Sequence, residues 1–406
     1  MARMVVVGAG HAAGQAVASM RQDKYEGEIV VIGDEPHVPY QRPPLSKQYL
    51  ADEQGLDRVY LRPAAFYTER NIRVLLGTRA TAIDRKRRTV TTDKGETIEY
   101  TKLLLATGGR ARKLTIPGSD LPGIFYLRSL ADVDAIKAAL KPGTKIAIVG
   151  GGYIGLEVAA VTVKRGFDVT VVEMEERILK RVTAAAMSAF YDKLHSGRGV
   201  KIITSARVVG FEGTTKLTGV KIDGRATLPA DIAIVGIGIV PNVELATSAG
   251  LECENGIKVD DHCRTSDPDI FAAGDCTNHP NALLGRRLRL ESVPNATDQA
   301  RVAVTNMLGG DAAYAAIPWF WSDQYELKLQ MVGFSSDGDT AVVRGDPAKN
   351  QFATFYLKNG ALVAVDAVNS PKEFMAGKQL VAKGVRIDAR RLADPAVPMK
   401  DLLASV

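Results

Sequence analysis

Two glycine-rich segments, each directly after a run of apolar residues, constrain the fold of this chain more than any other feature. The first covers residues 5–14 and reads VVVGAGHAAG, and the second covers residues 146–157 and reads IAIVGGGYIGLE. Each is typical of a strand, a tight glycine turn and a helix start, where free N–H groups bind a pyrophosphate. Two copies predict two doubly wound α/β domains, each of which binds a dinucleotide.

The first segment satisfies the dinucleotide fingerprint position by position. Gly8 permits the turn, and Gly10 allows the backbone to approach the pyrophosphate. Small Ala13 and Gly14 let the helix pack closely on the strand, and alanine at the third glycine position is a tolerated variant. The next predicted strand ends at Asp34, whose carboxylate can accept hydrogen bonds from a ribose.

The second segment repeats this pattern. Gly150, Gly152 and Gly155 take the glycine positions, and the following strand ends at Glu173. An acid there suits the free ribose hydroxyl of NAD(H) and repels the extra phosphate of NADP(H). Arg177 follows closely enough to reach such a phosphate, so the sequence favours NADH without settling the preference.

Length and charge narrow the class of protein further. The 406 residues predict two or three domains, and the chain has no long uncharged apolar run that would predict a membrane span. The first strand begins so early that we expect no signal peptide and a cytoplasmic location. The net charge of +6 is spread among interleaved acids, which excludes a nucleic-acid-binding stripe and suits either solubility or encounter with an acidic partner.

The cysteines indicate what the protein does not do. Cys253, Cys263 and Cys276 form neither a Cys-x-x-Cys pair nor a cluster with metal-ligand spacing. We therefore interpret them as buried or incidental thiols and expect no metal site.

Two further strand ends complete a recognisable set of motifs. Residues 106–108 read ATG, and residues 269–275 read DIFAAGD. With the first fingerprint they resemble the glutathione-reductase-fold flavoprotein superfamily, which implies that these three motifs bind FAD and that the second fingerprint binds the nicotinamide cofactor. By this resemblance Asp34 binds the adenosine ribose of FAD, and Asp275 binds its ribityl or pyrophosphate region.

The resemblance implies a domain division and a set of cofactor-binding residues. The predicted domains are an FAD-binding domain of residues 1–112 and 242–322, an NAD-binding domain of residues 113–241 and an α+β C-terminal interface domain of residues 323–406. The implied FAD-binding residues are Gly8, Gly10, Ala13, Gly14, Asp34, Arg42, Lys47, Thr107, Gly108, Asp275 and Val293. The implied NAD-binding residues are Gly150, Gly152, Tyr153, Ile154, Gly155, Glu157, Glu173 and Gly238. Val293 departs from the many relatives that carry tryptophan there, and Tyr153 either stacks where the nicotinamide meets the flavin or only packs.

Residues 39–47, which read PYQRPPLSK, narrow the resemblance to one branch. The segment is similar to that of NADH-dependent ferredoxin reductases of oxygenase systems, of the putidaredoxin reductase type, and to that of the apoptosis-inducing-factor flavoproteins. Disulfide reductases carry a cysteine pair in this region, and related peroxidases and oxidases carry a single reactive cysteine. This chain has neither, so a thiol relay has no residue on which to form.

The same segment supplies an ion pair beside the flavin. The two prolines bias their neighbours toward extended conformations and so aim Lys47. In the family this lysine lies beside the isoalloxazine and pairs with the glutamate of the second fingerprint, here Glu157. A positive charge there stabilises negative charge on the flavin, and the carboxylate holds the lysine in its charged form.

The last specific signature contains both tryptophans. Residues 289–300, which read RLESVPNATDQA, and residues 317–324, which read IPWFWSDQ, look like the ferredoxin-reductase pattern. In an extended segment Trp319 and Trp321 point to the same side. The resemblance places them between the flavin and the ferredoxin-docking face, where Trp321 and Arg301 contact the partner, although a tryptophan pair can also fill a domain interface.

These inferences predict an FAD-dependent NADH:ferredoxin oxidoreductase. It takes a hydride from NADH and delivers single electrons to a [2Fe-2S] ferredoxin that supplies an oxygenase. Two alternatives share the motifs: an NADH-dependent rubredoxin reductase, and an apoptosis-inducing-factor-like flavoprotein that senses redox state. The sequence leaves open whether the protein is a monomer or a weak homodimer.

Overall fold

The structure, a computed structural model, describes residues 2–404, which divide into two compact units. Unit 1 contains residues 2–41, 55–110 and 239–318, and unit 2 contains residues 42–54, 111–238 and 319–404. The strands, in chain order, are β1 (Arg3–Val7), β2 (Glu28–Ile32), β3 (Ile72–Leu75), β4 (Ala80–Asp84), β5 (Thr89–Thr92), β6 (Thr97–Glu99), β7 (Lys102–Leu105), β8 (Gly109–Ala111), β9 (Ile124–Tyr126), β10 (Lys145–Val149), β11 (Asp168–Val172), β12 (Lys201–Ile203), β13 (Val208–Gly213), β14 (Leu217–Ile222), β15 (Leu228–Pro229), β16 (Ile232–Val235), β17 (Ile239–Pro241), β18 (Ile257–Lys258), β19 (Ile270–Ala272), β20 (Thr277–Asn281), β21 (Arg286–Leu288), β22 (Trp319–Gln324), β23 (Leu327–Gly333), β24 (Thr340–Asp346), β25 (Gln351–Lys358) and β26 (Ala361–Val368).

The helices complete the two units. They are α1 (His11–Gln22), α2 (Leu56–Val59), α3 (Ala64–Glu69), α4 (Leu130–Ala139), α5 (Tyr153–Lys164), α6 (Ala185–Gly197), α7 (Glu244–Ser248), α8 (Val293–Met307), α9 (Pro371–Ala382), α10 (Ala389–Ala393) and α11 (Met399–Ala404). Short 3-10 segments cover Pro43–Ser46, Ser335–Asp337 and Pro347–Lys349. None of the helices within residues 2–404 is both long enough and apolar enough to cross a membrane.

Unit 1 is built on a five-stranded parallel sheet with the order β19-β7-β1-β2-β3. Alternate residues of β1 bury opposite faces, because Met4 and Val6 pack in one apolar cluster and Val5 and Val7 in another. Helices α1 and α8 pack together over the face of Met4 and Val6. A parallel sheet that is covered on both faces explains why β1 reads as continuous apolar sequence.

Unit 2 contains a second five-stranded parallel sheet with the order β9-β16-β10-β11-β12. The strand of the glycine fingerprint is central in each parallel sheet, so the predicted repeat of two doubly wound folds is present. Unit 2 also contains an antiparallel sheet with the order β22-β23-β26-β25-β24, against which α9 packs. This sheet and its helices match the predicted α+β C-terminal region.

The structure moves one predicted boundary. A domain end at residue 322 falls inside β22, which pairs with β23 from Trp319 to Gln324. The tryptophans therefore belong to the C-terminal antiparallel sheet, and their strand cannot be divided without breaking its ladder of hydrogen bonds. Residues 42–54 also pack within unit 2 and not, as predicted, with the first fingerprint. The division into three domains stays a prediction.

One buried carboxyl group in unit 2 has no basic partner among the contacts of the described residues. Asp366 lies on β26, and its Oδ2 accepts hydrogen bonds from the hydroxyl groups of Thr183 and Tyr356. Burial raises the pKa of Asp366 to about 6, although these two hydrogen bonds oppose the shift. The negative charge of Asp366 therefore costs stability at neutral pH.

We expect Asp366→Asn to stabilise the protein at pH 8 by about 1–3 kcal/mol and to change little at pH 4. The folded state binds a proton at Asp366 more tightly than the unfolded state, so the free energy of unfolding falls as pH rises from about 4 to 6. Asparagine keeps an acceptor for both hydroxyl groups without the charge. Urea unfolding at both pH values measures the gain, with Asp223→Asn as an exposed control. An equal effect at pH 4 and pH 8 would contradict this account.

Candidate functional site

The first glycine turn leaves the start of α1 open. Gly8 has a φ of +112°, and a Cβ atom there would lie 2.1 Å from the carbonyl oxygen of Ala106. Gly10 begins the helix, no side chain caps it, and a Cβ atom added to Gly10 would meet nothing within 4 Å. The space beside Gly10 at the start of α1 is thus open, which fits the pyrophosphate of a dinucleotide.

The second glycine turn has the same construction. Gly150 has a φ of +109°, and a Cβ atom there would lie 2.5 Å from the carbonyl oxygen of Gly236. A Cβ atom on Gly155 would lie 2.2 Å from the carbonyl oxygen of Gly150, which explains the close packing of α5 on β10. Gly152 begins α5 without a side-chain cap, and a Cβ atom there would meet nothing within 4 Å.

Side-chain caps are present on only some of the other helices, because α2, α3, α6, α7 and α9 also begin without one. Ser129, Ser292 and Asp388 accept hydrogen bonds from the first turns of α4, α8 and α10. An uncapped start therefore does not mark a ligand site by itself. On α1 and α5 it follows a glycine turn with positive φ, and this combination supports the interpretation that a ligand's phosphates take the place of a capping side chain.

We expect Gly152→Ala to leave the fold and the flavin intact and to weaken nucleotide binding about tenfold or more. The new methyl group contacts no protein atom and projects where the pyrophosphate must approach the backbone. Titration of the oxidised flavoprotein with NAD⁺, followed by flavin fluorescence, measures the change. Gly197→Ala, at the end of α6 with nothing within 4 Å, is the matched control. Equal affinity in the two variants would show that α5 does not hold the nucleotide.

The two acidic residues predicted to bind ribose have different surroundings. Asp34 is exposed, and its closest charged contact is Arg79 at 3.5 Å. Glu173 is buried, and its two oxygens accept from the N–H groups of Gly151 at 2.6 Å and Glu175 at 2.8 Å. Nothing in the sequence pattern indicates these two bonds, which fix the Glu173 carboxylate at the glycine turn.

The side chain of Arg177 is engaged elsewhere. Its guanidinium group donates to the carbonyl oxygens of Thr183 at 3.0 Å and Lys180 at 3.3 Å, and to the hydroxyl group of Ser188. An arginine with these three partners is not free to bind a 2′-phosphate. The geometry around Arg177 thus supports NADH over NADPH.

The ATG element of unit 1 is tied to Asn242. The Thr107 hydroxyl donates to the Asn242 carbonyl at 2.7 Å, and the Asn242 amide returns a bond to the Thr107 carbonyl at 2.9 Å. Gly108 has a φ of +60°, and its carbonyl accepts from the Asn242 N–H at 3.0 Å. Asn242 was not among the predicted site residues, although it stands where the sequence predicted that the chain returns to the first domain.

Asp275 follows a glycine turn that Gln299 holds. Gly274 has a φ of +90°, and the Gln299 carbonyl accepts from the Gly274 N–H at 2.8 Å and from the Thr277 hydroxyl at 2.9 Å. The buried Nε2 of Gln299 has no hydrogen-bond partner within residues 2–404. An open donor beside this turn fits a polar group of a bound cofactor. Val293 is the first residue of α8, on the same helix as Gln299.

Unit 2 contains a buried ion pair. Lys47 Nζ lies 2.7 Å from Glu157 Oε2, and the two residues are 9% and 2% exposed. The same oxygen accepts from the Ser46 hydroxyl at 2.5 Å, and Glu157 Oε1 accepts from the Ser322 hydroxyl at 2.6 Å. The predicted pair is thus present. Ser46 and Ser322 lie within sequence motifs described above, but neither was predicted to bind Glu157.

The prolines position Lys47 differently from the prediction. Residues Pro43–Ser46 form a 3-10 turn, and Arg42 before them has helical dihedral angles, so the neighbours are not extended as predicted. Proline is compatible with a first helical turn because its missing N–H has no acceptor there. The turn ends at Lys47, whose N–H donates to the Pro44 carbonyl, and the Arg42 guanidinium donates to the Arg128 carbonyl at 2.5 Å.

Aromatic side chains form a row in unit 2 that starts at the second fingerprint. The Tyr153 ring lies 5.4 Å from that of Phe320, which lies 6.3 Å from Trp321, and Trp321 lies 5.7 Å from Trp319. The two tryptophans share one side of β22, as predicted. The Tyr153 hydroxyl donates to the sulfur of Met331 at 2.7 Å, so this ring also packs on the antiparallel sheet.

The other predicted site residues have simple surroundings. Ile154 is exposed on the first turn of α5, and Gly238 has a φ of +101° with nothing within 4 Å of an added Cβ atom. Arg301 on α8 forms an ion pair with Asp298 at 2.8 Å. Ala13 and Gly14 lie on the buried side of α1.

The thiols behave as the sequence predicted. Cys253, Cys263 and Cys276 are free, and Cys263 and Cys276 are buried. Burial raises the pKa of both buried thiols above the usual value. Thiolate chemistry at these two residues is therefore disfavoured.

The fold and the two nucleotide turns define a class of protein, and comparison with known families agrees. The family model described as pyridine nucleotide-disulphide oxidoreductase matches residues 2–300, and the model described as reductase C-terminal matches residues 319–403. The chain belongs to the pyridine nucleotide-disulphide oxidoreductase family.

Particular relatives are similar over nearly the whole chain. It is 46% identical over 404 residues to the 5,5′-dehydrodivanillate O-demethylase ferredoxin reductase subunit of a Sphingobium species, covering 99% of this chain and 98% of the relative. It is 42% identical over 408 residues to putidaredoxin reductase of Pseudomonas putida, covering 99% and 97%. The solved covalent complex of putidaredoxin reductase with putidaredoxin matches with a TM-score of 0.96 at 42% identity, covering 100% of this chain and 98% of that one.

These similarities confirm four predictions made from the sequence. They are the resemblance to the ferredoxin reductases, the α/β fold class, the activity of a nicotinamide-dependent oxidoreductase, and the cofactors FAD and NADH. The roles predicted for single residues are not tested by the comparisons and are treated below as proposals.

Proposed function

We propose that this enzyme takes a hydride from NADH and delivers single electrons to a [2Fe-2S] ferredoxin that supplies an oxygenase. The observation that carries the proposal is the buried Lys47–Glu157 ion pair, whose lysine ends the cysteine-free segment of residues 39–47. The similarity to a reductase subunit of an O-demethylase and to putidaredoxin reductase supports the partner and the oxygenase.

Two sets of residues in the two units hold the cofactors. The open start of α1, with Asp34 and the Thr107–Gly108 turn, binds FAD. The open start of α5, with Glu173, binds NADH. FAD, when bound, supplies the conversion of a two-electron hydride into single electrons.

Lys47 supplies positive charge that favours electron uptake by the cofactor. Its ammonium group is held by Glu157, which is fixed in turn by the hydroxyl groups of Ser46 and Ser322. The electrostatic effect of a charge is stronger in a buried site than in water. Because this charge is already held in place, the surrounding groups need not reorganise when the hydride arrives. The pair therefore acts by electrostatics and does not need to exchange a proton.

The tryptophans provide the route to the partner. Trp319 and Trp321 are half-buried and adjacent, and Lys378 lies 5.1 Å from the Trp319 ring. A large aromatic surface with a neighbouring cation suits an acidic ferredoxin. Arg301 is proposed as a further docking contact, and its pairing with Asp298 is exposed and weak enough to exchange for a partner carboxylate.

We expect Trp321→Ala to slow electron transfer to the ferredoxin about tenfold or more and to leave flavin reduction by NADH within about twofold. The ring is proposed to contact the partner, whereas the ion pair and nucleotide turns stay unchanged. Stopped-flow mixing with NADH and then with an oxidised [2Fe-2S] ferredoxin measures the two steps separately. Phe167→Ala, another half-buried ring of unit 2, is the control.

The same assay distinguishes the alternatives. Faster reduction of rubredoxin than of any [2Fe-2S] ferredoxin would replace the proposed partner. A wild-type enzyme that reduces neither acceptor would favour the redox-sensing alternative. The cytoplasmic location and the choice between monomer and weak homodimer stay predictions.

A further inference from the structure

A series of hydrogen bonds in unit 2 leads from Glu157 to the surface. It passes through five side chains, which we call the polar chain: Glu157, Ser322, Gln324, His195 and Tyr325. The Ser322 hydroxyl donates to Glu157 Oε1 at 2.6 Å, and Gln324 Nε2 donates to Ser322 Oγ at 3.1 Å. Gln324 Oε1 lies 2.8 Å from His195 Nε2, and the Tyr325 hydroxyl lies 3.0 Å from His195 Nδ1.

The polar chain is shielded from water except at its far end. Its inner members, from Glu157 to His195, are at most 2% exposed. Tyr325 is half-buried, and its ring lies 4.8 Å from the guanidinium group of Arg198, which pairs with Glu326 at the surface. Hydrogen bonds in such a setting are strong and costly to leave unmade.

The charge of Glu157 fixes the direction of every bond in the chain. A carboxylate only accepts, so Ser322 donates to it and accepts from the Gln324 amide. The amide then turns its carbonyl toward His195, so His195 Nε2 carries the proton and Nδ1 accepts from Tyr325. The tautomer of His195 is thus set by a charge three hydrogen bonds away.

His195 has the protonation state that this direction requires. Burial lowers the pKa of His195 to about 4, although its bond to Gln324 opposes the shift. The ring is therefore neutral at pH 7, with one donor and one acceptor nitrogen, and the two observed bonds use both.

We propose that His195 and Gln324 are positioning residues for Glu157. His195 donates to the Gln324 carbonyl and so leaves the Gln324 amide as the donor to Ser322, which reinforces the bond of the Ser322 hydroxyl to Glu157 Oε1. Oε2 is then left to Lys47 and Ser46, and the lysine stays at a fixed place. The consequence for electron transfer rests on the proposed function, but the direction of the bonds does not.

The direction of the polar chain can be tested in the oxidised holoenzyme without any partner protein. We expect nitrogen NMR of ¹⁵N-histidine-labelled protein at pH 7 to show His195 with a protonated Nε2 and a bare Nδ1. The protein has five histidines, and a spectrum of His195→Gln assigns the signal. A proton on Nδ1 would reverse the chain and overturn the proposal.

A pair of variants tests the effect on the ion pair. Gln324→Glu places a second acceptor beside Ser322, so its hydroxyl group is shared between two carboxylates. We expect flavin reduction by NADH to slow about tenfold or more, with a more negative flavin midpoint potential. Gln324→Met removes the donor to Ser322 and the acceptor of His195 without adding a charge, so we expect a smaller loss, of about threefold, with a potential shift in the same direction.

The outcomes separate this proposal from the proposed function. A wild-type rate and a wild-type potential in Gln324→Met would reduce the polar chain to a structural role and overturn the proposal. If Gln324→Glu does not fold, the wild-type tautomer decides. Failure of the enzyme to reduce any ferredoxin would refute the proposed function while leaving the tautomer and the midpoint potentials as valid tests.

Discussion

Lys47→Met is expected to slow flavin reduction by NADH about 10²–10³-fold and to lower the free energy of unfolding by about 3–5 kcal/mol. The variant leaves the Glu157 carboxylate buried with only the hydroxyl groups of Ser46 and Ser322 as partners. A buried charge without its counter-ion costs several kcal/mol, and the positive charge that favours hydride uptake is lost. The rate and the stability therefore fall together.

A double variant separates these two effects. Lys47→Met with Glu157→Leu removes both charges, so we expect much of the stability to return while the rate stays low. Stopped-flow absorbance and urea unfolding measure the two quantities. Lys164→Met is the matched control, because Lys164 pairs with Glu53 at an exposed site, where a pair contributes about 1 kcal/mol at most. Normal hydride transfer in Lys47→Met would show that the ion pair has only a structural role.

Gly8→Ala is expected to yield protein with less than about a tenth of the wild-type flavin content. Its methyl group would lie 2.1 Å from the Ala106 carbonyl oxygen, at a φ of +112° that side chains rarely adopt. Overpacking and a left-handed backbone each cost about 1–3 kcal/mol. Relief of this clash must move Ala106, which lies between the end of β7 and the Thr107–Gly108 turn of the proposed FAD site.

The control isolates the clash from the backbone conformation. Gly143 has a φ of +83°, and a Cβ atom there would meet nothing within 4 Å, so Gly143→Ala carries strain without a collision. The ratio of flavin absorbance to protein absorbance in the purified variants measures cofactor content. Normal flavin in Gly8→Ala would contradict the proposed place of the pyrophosphate.

The fold was predictable where its signals are local. The turns at Gly8 and Gly150 each follow from a few adjacent residues, since the positive φ, the open helix start and the apolar strand occur within one short segment. The boundary before Trp319 was missed because a strand of aromatic residues fits either neighbouring sheet until its pairing partner β23 is known.

The site was predictable only in part because its contacts join distant segments. Lys47 and Glu157 lie far apart in the sequence, and only a family resemblance predicted their pairing. Ser322 and Gln324 lie in the motif of residues 317–324, yet nothing in their spacing indicates that they face Glu157 and His195. Hydrogen bonds of this kind depend on side-chain geometry that the sequence pattern does not encode.

Anaerobic double mixing tests the proposed electron route most directly. One equivalent of NADH is mixed with the oxidised flavoprotein, an oxidised [2Fe-2S] ferredoxin of an oxygenase system is added, and both chromophores are followed. We predict rapid bleaching of the flavin, then rapid recovery of its absorbance with matching bleaching of the iron–sulfur bands. A flavin that is reduced slowly and stays reduced in the presence of the ferredoxin would contradict the proposed function.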